Sequence, residues 1–200
     1  MRGRAGWIAV ILFPAILLSI SLIPARPAGA EDSAAPTTQN SIDVSTGWKL
    51  LKEGEADGTI EQDAKHPTNP SPHLLRIEVT KAAARGKGRA GATNSTIIPV
   101  QEDHWYDITF IAVTERGSIG LVFSLESADG KVLARTTLPE IGRAGRGRAG
   151  SAPSTRLAWT KYLLSLHARA SDPSAHLVIT PIEPTNIWLD GLTLTPRAMP

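Results

Sequence analysis

Residues 105–126 read WYDITFIAVTERGSIGLVFSLE, and their apolar side chains recur at alternate positions. The alternating apolar residues are Tyr106, Ile108, Phe110, Ala112, Ile119, Leu121, Phe123 and Leu125. In the first half, the positions between them include Asp107 and Thr109. A period of two is typical of a β-strand with one buried face and one face in water. The stretch therefore predicts two successive β-strands, each with one buried face.

The same period recurs through the rest of the chain after residue 40. Further alternating runs lie at 74–79, 161–167, 177–179 and 187–194. Turn-forming residues such as Asp129-Gly130 separate the runs. No segment in this part of the sequence sustains apolar residues at helical spacing. We therefore predict an all-β fold, an antiparallel β-sandwich of the jelly-roll type.

The last alternating run changes phase at Asp190-Gly191. Leu189 precedes the change, and Leu192 and Leu194 follow it, so one extra residue interrupts the alternation. An extra residue in a strand predicts a β-bulge, which re-aims a side chain. Asp190 is therefore a residue of interest.

The first forty residues differ in composition from the rest. Arg2 and Arg4 precede an apolar stretch at 7–23, and Ala28-Gly29-Ala30 supplies a small-x-small cleavage pattern. These features predict a signal peptide at 1–30 and a secreted or periplasmic protein without membrane contact after cleavage. The alternative is an uncleaved anchor helix, at the short limit for crossing a bilayer. A polar spacer at 31–40 then precedes a single domain at 41–200.

Charge and cysteine content exclude several classes of protein. Of 21 basic residues, Arg2, Arg4 and Arg26 lie in the first thirty positions, which leaves 18 against 19 acidic residues. The remainder is therefore close to neutral. The chain has no cysteine, which excludes disulfides, cysteine-based metal sites and a thiol nucleophile.

A Gly-Arg-Ala-Gly tetrapeptide occurs at 3–6, 88–91, 142–145 and 147–150. Two of its contexts match the G-x-G-x-x-G pattern, but the segments that follow predict strands, whereas a dinucleotide site requires a helix there. Two interpretations remain open. The repeats can be flexible loop insertions, or their cations can bind a polyanion. The cations concerned are Lys81, Arg85, Lys87, Arg89, Arg143, Arg146, Arg148 and Arg156. No aromatic residue is interleaved with them, so nucleic acid is not an expected partner.

Five sequence blocks carry a family resemblance: GW at 47–48, LLRIEV at 74–79, WYDITF at 105–110, WTKY at 159–162 and IWLDGLTL at 187–194. Together they resemble the carbohydrate-binding modules of the cellulose/xylan-binding clan, which have the galactose-binding-like jelly-roll fold. The likeness covers roughly residues 44–196. It implies a secreted, non-catalytic module that binds polysaccharide and is often attached to a glycoside hydrolase.

The resemblance also implies a structural calcium ion. In such modules, calcium commonly ties the N-terminal strand to the aspartate of the closing block, which corresponds to Asp190. The family's usual acidic partner in an Asn-x-x-Phe-Glu-like opening is missing here, and Ser41-Ile42-Asp43 is the nearest substitute. Calcium requires about six to eight oxygen ligands, so Asp190 alone cannot form the site.

Two tryptophans are the predicted sugar platforms. Trp105 and Trp159 have the opposite phase to the core residues of their strands, and sugar C–H faces pack on aromatic rings. Both also occupy family marker positions, so packing anchors are the alternative interpretation. Trp48 and Trp188 are predicted to be structural.

Asp107, Thr109, Glu126 and His167 share the outward phase. They are candidate hydrogen-bonding groups in a ligand cleft, although outward polar residues are usually only solvated. The chain has neither a Gly-x-Ser-x-Gly nor a His-Glu-x-x-His motif, and we predict no enzymatic activity. Two competing functions remain: a structural or protein-interaction module of the cell envelope, and a polyanion binder acting through the arginine-rich loops. Asn94-Ser95-Thr96 is a possible glycosylation sequon.

Overall fold

The alternating segments form β-strands in the computed structural model, which describes residues 41–83, 87–115, 119–141 and 158–197. The predicted signal peptide, the spacer and three copies of the tetrapeptide lie outside these residues, as do Arg85, Arg143, Arg146, Arg148 and Arg156. Within the described ranges the chain forms strands and no helix, and hence no helix that spans a membrane.

Twelve strands are present in the described part of the chain. They are β1 (Ile42–Asp43), β2 (Trp48–Lys52), β3 (Asp57–Glu61), β4 (Leu75–Lys81), β5 (Ala90–Asn94), β6 (Ile98–Val100), β7 (Trp105–Thr114), β8 (Ile119–Glu126), β9 (Val132–Ile141), β10 (Thr160–His167), β11 (Asp172–Pro181) and β12 (Thr185–Arg197).

The strands form two antiparallel sheets. Sheet I has the order β10-β7-β12-β4-β3, with β1 beside β12, where Ile42 lies opposite Leu194. Sheet II has the order β2-β5-β11-β8-β9, with β6 beside β11. The predicted fold class, an all-β antiparallel sandwich of the jelly-roll type, is confirmed.

The core lies between the two sheets and is built from the alternating side chains. Phe110 of sheet I packs against Phe123 of sheet II, with ring centroids 5.0 Å apart, and stacks on Tyr162 at 5.3 Å. All apolar positions named in 105–126 are buried, and so is Trp48, as predicted. Burial of this many apolar side chains is the main term that stabilises the sandwich.

The predicted bulge in the closing strand is confirmed. Asp190 lies opposite Ile111 and Thr193 opposite Thr109, so β12 has one residue more than β7 between these pairs. Gly191 adopts a φ of 59°, a conformation that glycine tolerates better than other residues. The bulge returns Leu192 to the core and leaves Asp190 on the outer face.

A loop at 62–73 covers one end of the outer face of sheet I. Ala64 from this loop packs with Leu74, Val113 and Trp188 in a small second cluster of buried residues. Trp188 is buried there, which confirms its predicted structural role.

Asn94 joins the start of the domain to β5. Its Nδ2 donates to the carbonyl oxygens of Val44 at 3.2 Å and Thr46 at 2.6 Å, and its Oδ1 accepts from the amide of Thr96. The residue is 1% exposed. The sequon at 94–96 therefore has its asparagine inside the folded protein, where no glycan can be accommodated.

Candidate functional site

An open groove of about 670 Å³ crosses the outer face of sheet II. Because core residues alternate with outward ones along β8, Val122, Ser124 and Glu126 point into the groove. Arg135 and Thr137 of β9 lie beside them, opposite Ser124 and Val122 in the sheet register. The remaining lining comes from β11 and the adjoining Ile182, from the connections at 82–83 and 88–89, and from one residue each of β4, β5 and β9 (Val79, Ala90 and Val132). The groove is a concave surface that can hold a ligand.

A buried ion pair closes one end of the groove floor. The two terminal nitrogens of Arg89 donate to the two oxygens of Glu126 at 2.5 and 2.7 Å, and Ser124 Oγ donates to the same carboxylate. Arg89 also donates to both oxygens of Glu53, each at 2.9 Å. The hydrogen bonds to Glu126 and then to Glu53 raise the pKa of the guanidinium. The network fixes both carboxylates and holds this part of the floor rigid.

The tetrapeptide copy at 88–91 is part of the sheet, which corrects both interpretations of it. Arg89 is not free for a polyanion, because its guanidinium is bonded to two carboxylates. Nor is the copy a loose insertion, since β5 begins at Ala90. A Cβ on Gly91 would lie 2.1 Å from the carbonyl oxygen of Ile179, so only glycine allows this close approach. Lys81, another of the predicted polyanion contacts, pairs with Glu55.

The predicted polar residues do not form one cleft. Asp107 and His167 lie on sheet I, whereas Glu126 lies on sheet II and is 3% exposed. Each of these side chains points away from the core, as predicted. However, the outer faces of β7 and β8 belong to different sheets and lie on opposite sides of the sandwich. The expectation of a shared surface for these residues is wrong for that reason.

Trp105, Asp107 and His167 do come together, at one end of the outer face of sheet I. Trp105 is 40% exposed, and His167 stacks on its indole with ring centroids 4.7 Å apart. The guanidinium carbon of Arg197 lies 5.8 Å from the indole centroid. Since β10 and β12 are on opposite sides of β7, these two groups flank both faces of the ring. A sugar that stacks on Trp105 has to displace one of them.

Asp107 is held below this indole by two donors. Ser165 Oγ donates to Asp107 at 2.6 Å, and Arg197 donates through Nη2 at 2.6 Å and through Nε at 3.1 Å. Burial acts to raise the pKa of Asp107, but the hydrogen bonds and charge of Arg197 and the bond from Ser165 outweigh it, so this pKa is lowered. The carboxylate is thus committed to a local network.

Trp159 lies at the other end of sheet I. The register places Thr160 opposite Ala112 and His167 opposite Trp105, so the two predicted platforms are nearly a strand length apart. Trp159 packs on the small cluster around Trp188, and its Nε1 donates to Thr68 Oγ1 at 3.1 Å. These contacts are those of a packing anchor, and sugar stacking at Trp159 stays a prediction.

The surroundings of Asp190 do not fit a calcium ion. Its Oδ1 accepts from Ser71 Oγ and from the amide of Gly191, both at 2.8 Å, and its Oδ2 accepts from Asn69 Nδ2 at 3.0 Å. Asp43, the predicted partner, instead accepts a hydrogen bond from the amide of Ser45. In the described ranges no group of three histidine or acidic residues converges on a point. Neutral donors therefore occupy both oxygens that calcium would need.

Removing the Asp190 carboxylate is expected to loosen the loop at 62–73. Asp190→Ala removes three hydrogen bonds, and we expect a loss of about 2 kcal/mol in the free energy of unfolding, or about 4–8 °C in Tm. Lys65→Ala, which removes an exposed charged side chain from the same loop, is the control and should change stability by less than about 0.5 kcal/mol. A chelator should leave the Tm of the native protein unchanged. If a chelator lowered that Tm but not the Tm of Asp190→Ala, calcium would be present.

The sequence prediction missed most of the groove. Ser124, Arg135, Thr137 and Thr180 line it but were not singled out. Their only signal in the sequence is the outward phase of their strands, which is shared by every solvated position. The other outward residues of β8 carry no charge, so Glu126 was the one groove residue of this strand that its residue type could identify.

No protein-family model and no curated protein matches the sequence. Among solved structures, the arabinose-bound MgGH51 α-L-arabinofuranosidase is 24% identical and matches with a TM-score of 0.56 over 76% of this chain. The chain spans 23% of the length of that enzyme. This match shows a shared fold.

Carbohydrate-binding modules recur among the other similar structures. The apo CBM1 of BiXyn10A is 16% identical, covers 78% of this chain and 96% of its own and has a TM-score of 0.48. A CBM4 structure is 10% identical, covers 75% of this chain and 86% of its own and also has a TM-score of 0.48.

Proposed function

We propose that this chain is a non-catalytic carbohydrate-binding module that holds a polysaccharide in the groove of sheet II. The observation that carries the proposal is the groove itself, which is open and is lined by both polar and apolar side chains. An open groove suits a segment of a polymer, whereas small molecules are usually held in more enclosed cavities.

The chemistry of the lining suits sugar rings. Ser124, Thr137 and Thr180 supply hydroxyl groups, which both donate and accept hydrogen bonds. Val122 and the half-exposed Ile182 supply apolar contacts for the C–H faces of a sugar. The fixed ion pair at Arg89 and Glu126 adds no mobile side chain to be ordered on binding, which limits the entropic cost.

A binding role without catalysis is supported by the carboxylates. Among the described residues that line the groove, Glu126 is the one carboxylate, and its oxygens are bonded by Arg89 and Ser124. Hydrolysis of a glycosidic bond uses two carboxyl groups that face each other across the sugar, about 5–10 Å apart. The described lining does not offer that pair.

The setting of the module is part of the proposal. The predicted signal peptide at 1–30 would export it, and a glycoside hydrolase or an envelope protein would be its partner. The match to part of a longer arabinofuranosidase supports the hydrolase as the first choice. The alternative is a binding site on sheet I, where the sugar would stack on Trp105 or Trp159.

Affinity electrophoresis against neutral xylan, arabinoxylan and β-glucan tests the proposal. We expect retardation by at least one polymer that resists added salt. The double variant Thr137→Ala/Thr180→Ala should weaken it by about tenfold, since two hydroxyl contacts are lost. Thr59→Ala, on the exposed edge of sheet I, is the matched control and should bind normally.

Other outcomes reassign or overturn the proposal. Binding that survives in the groove variant but is lost in Trp105→Ala or Trp159→Ala would move the site to sheet I. A protein that no polysaccharide retards would contradict the carbohydrate function and favour a protein-interaction module.

A further inference from the structure

A second depression adjoins the groove on the far side of β9. It has a volume of about 530 Å³ and is lined by residues 132–137 of β9 together with His167 and Arg169. Val132, Arg135 and Thr137 line both depressions, so the two are continuous across this strand. We call the second depression the β9 cleft.

The β9 cleft is lined by the two arginines of the described ranges that have no carboxylate partner within those ranges. Of the five arginines in the described ranges, Arg76, Arg89 and Arg197 each pair with a carboxylate. Arg135 and Arg169 have no side-chain hydrogen bond or ion pair within that part of the chain, and both line the β9 cleft. Unpaired guanidinium groups that share one depression create a local positive potential.

The backbone holds these two arginines near each other. The amide of Arg169 donates to the carbonyl oxygen of Leu133 at 2.8 Å, which ties the turn after β10 to β9. Leu133 is two residues from Arg135, and two residues of chain span at most about 7 Å. Both long side chains can therefore reach a common ligand.

Negative charge is scarce around this pair. The described lining of the β9 cleft contains no acidic residue. Asp103 lies 3.7 Å from Nε2 of His167 and faces that ring. In the adjoining groove, Glu126 pairs with Arg89, but Glu53 shares the same guanidinium, so two carboxylates face one cation there. The β9 cleft, whose described lining has two arginines and no acidic residue, is therefore the position that attracts an anion.

We propose that the module selects acidic polysaccharides, and that Arg135 and Arg169 bind the carboxylate of a uronic acid residue. The inference rests on the proposed carbohydrate-binding function, because the groove has to hold the rest of the polymer. A guanidinium presents a planar fork of donors that matches a carboxylate in a bidentate geometry. Thr137 shares the outward face of β9 with Arg135 and supplies a hydroxyl group for the same sugar.

Titration calorimetry with polygalacturonate and its fully methyl-esterified form tests the proposal. The two polymers share a backbone and differ in the carboxylate charge. We expect the native protein to bind the acidic form about tenfold more tightly at low salt, with the preference shrinking as salt is added. Arg169→Gln, which lies outside the groove lining, should remove most of that preference and leave the affinity for the esterified form unchanged. Arg135→Gln should also remove most of the preference, and because Arg135 lines the groove, its effect is read as the ratio of the two affinities.

The matched control is Lys161→Gln, which removes an exposed cation from sheet I and should keep the preference. Unchanged melting temperatures of the arginine variants would show that folding is intact. Equal affinity for both polymers would overturn the uronic acid proposal, and so would a preference that survives in the arginine variants. In either case, binding to the neutral polymer would still support the carbohydrate-binding function. Absence of binding to every polymer, including neutral xylan, would overturn both. Binding to sulfated polymers alone, independent of Arg135, would also contradict the carboxylate assignment.

Discussion

Replacing Glu126 with alanine is expected to lower the free energy of unfolding by about 3 kcal/mol, because it breaks a buried ion pair from one side. The side chain of Glu126 is 4% exposed, and that of its partner Arg89 is 26% exposed. The variant leaves this guanidinium inside the protein with only Glu53 to compensate it. In a domain of this size the loss corresponds to a fall in Tm of about 6–12 °C.

Thermal and denaturant unfolding measure this effect, and Glu53→Ala is its matched control. Glu53 contacts the same guanidinium, but its side chain is 46% exposed, so its loss should cost less than about 1 kcal/mol. The double variant Arg89→Met/Glu126→Leu should recover part of the stability, because no unpaired charge is then buried. Equal losses from Glu53→Ala and Glu126→Ala would show that burial does not distinguish the two carboxylates.

Asn94→Asp is expected to cost about 3 kcal/mol or more, although the two side chains have nearly the same shape. The amide nitrogen of Asn94 donates to the carbonyl oxygens of Val44 and Thr46. An aspartate would instead place a charged oxygen against two carbonyl oxygens in a site with 1% exposure. The native side chain thus compensates three backbone groups at once, and the variant compensates only the amide of Thr96.

Thr96→Ala separates this structural role from glycosylation. It destroys the same sequon but keeps the hydrogen bonds of Asn94, so its effect on stability should stay within about 0.5 kcal/mol. Protein from a glycosylating host should show no added mass on Asn94. A glycan at Asn94 in the folded protein would contradict the burial of this residue.

The strands could be predicted because their signal is local. Alternation along 105–126 identifies which side chains enter the core, and the interrupted alternation at Asp190 identifies the bulge. Both features require only neighbouring residues, since a strand turns successive side chains to opposite faces.

The assignment of strands to sheets could not be predicted in the same way. Asp107 and Glu126 have the same phase in their own strands, yet β7 and β8 belong to different sheets. Alternation shows that a side chain points away from the core, but it does not show on which side of the sandwich. The groove was missed for this reason, because its residues gather from β8, β9 and β11 only after the sheets are formed.

Arg89 illustrates the same limit at the level of one residue. Its carboxylate partners lie 36 and 37 positions away, on either side along the chain. Within its own tetrapeptide it looks like any other arginine of a glycine-rich loop. The composition of the segment indicates a flexible loop, but it contains no information about the two carboxylates, distant in sequence, that pair with Arg89.

The pairing of β1 with β12 has a consequence for how the domain can be joined to others. Ile42 lies opposite Leu194 and Asp43 opposite Thr193, so the polypeptide enters and leaves the sandwich at adjacent points. A unit with adjacent entry and exit can be spliced into a surface loop of a host protein without distorting either one. The same adjacency permits a circular permutant, opened at the exposed turn between Ser127 and Lys131 and closed by a short flexible linker.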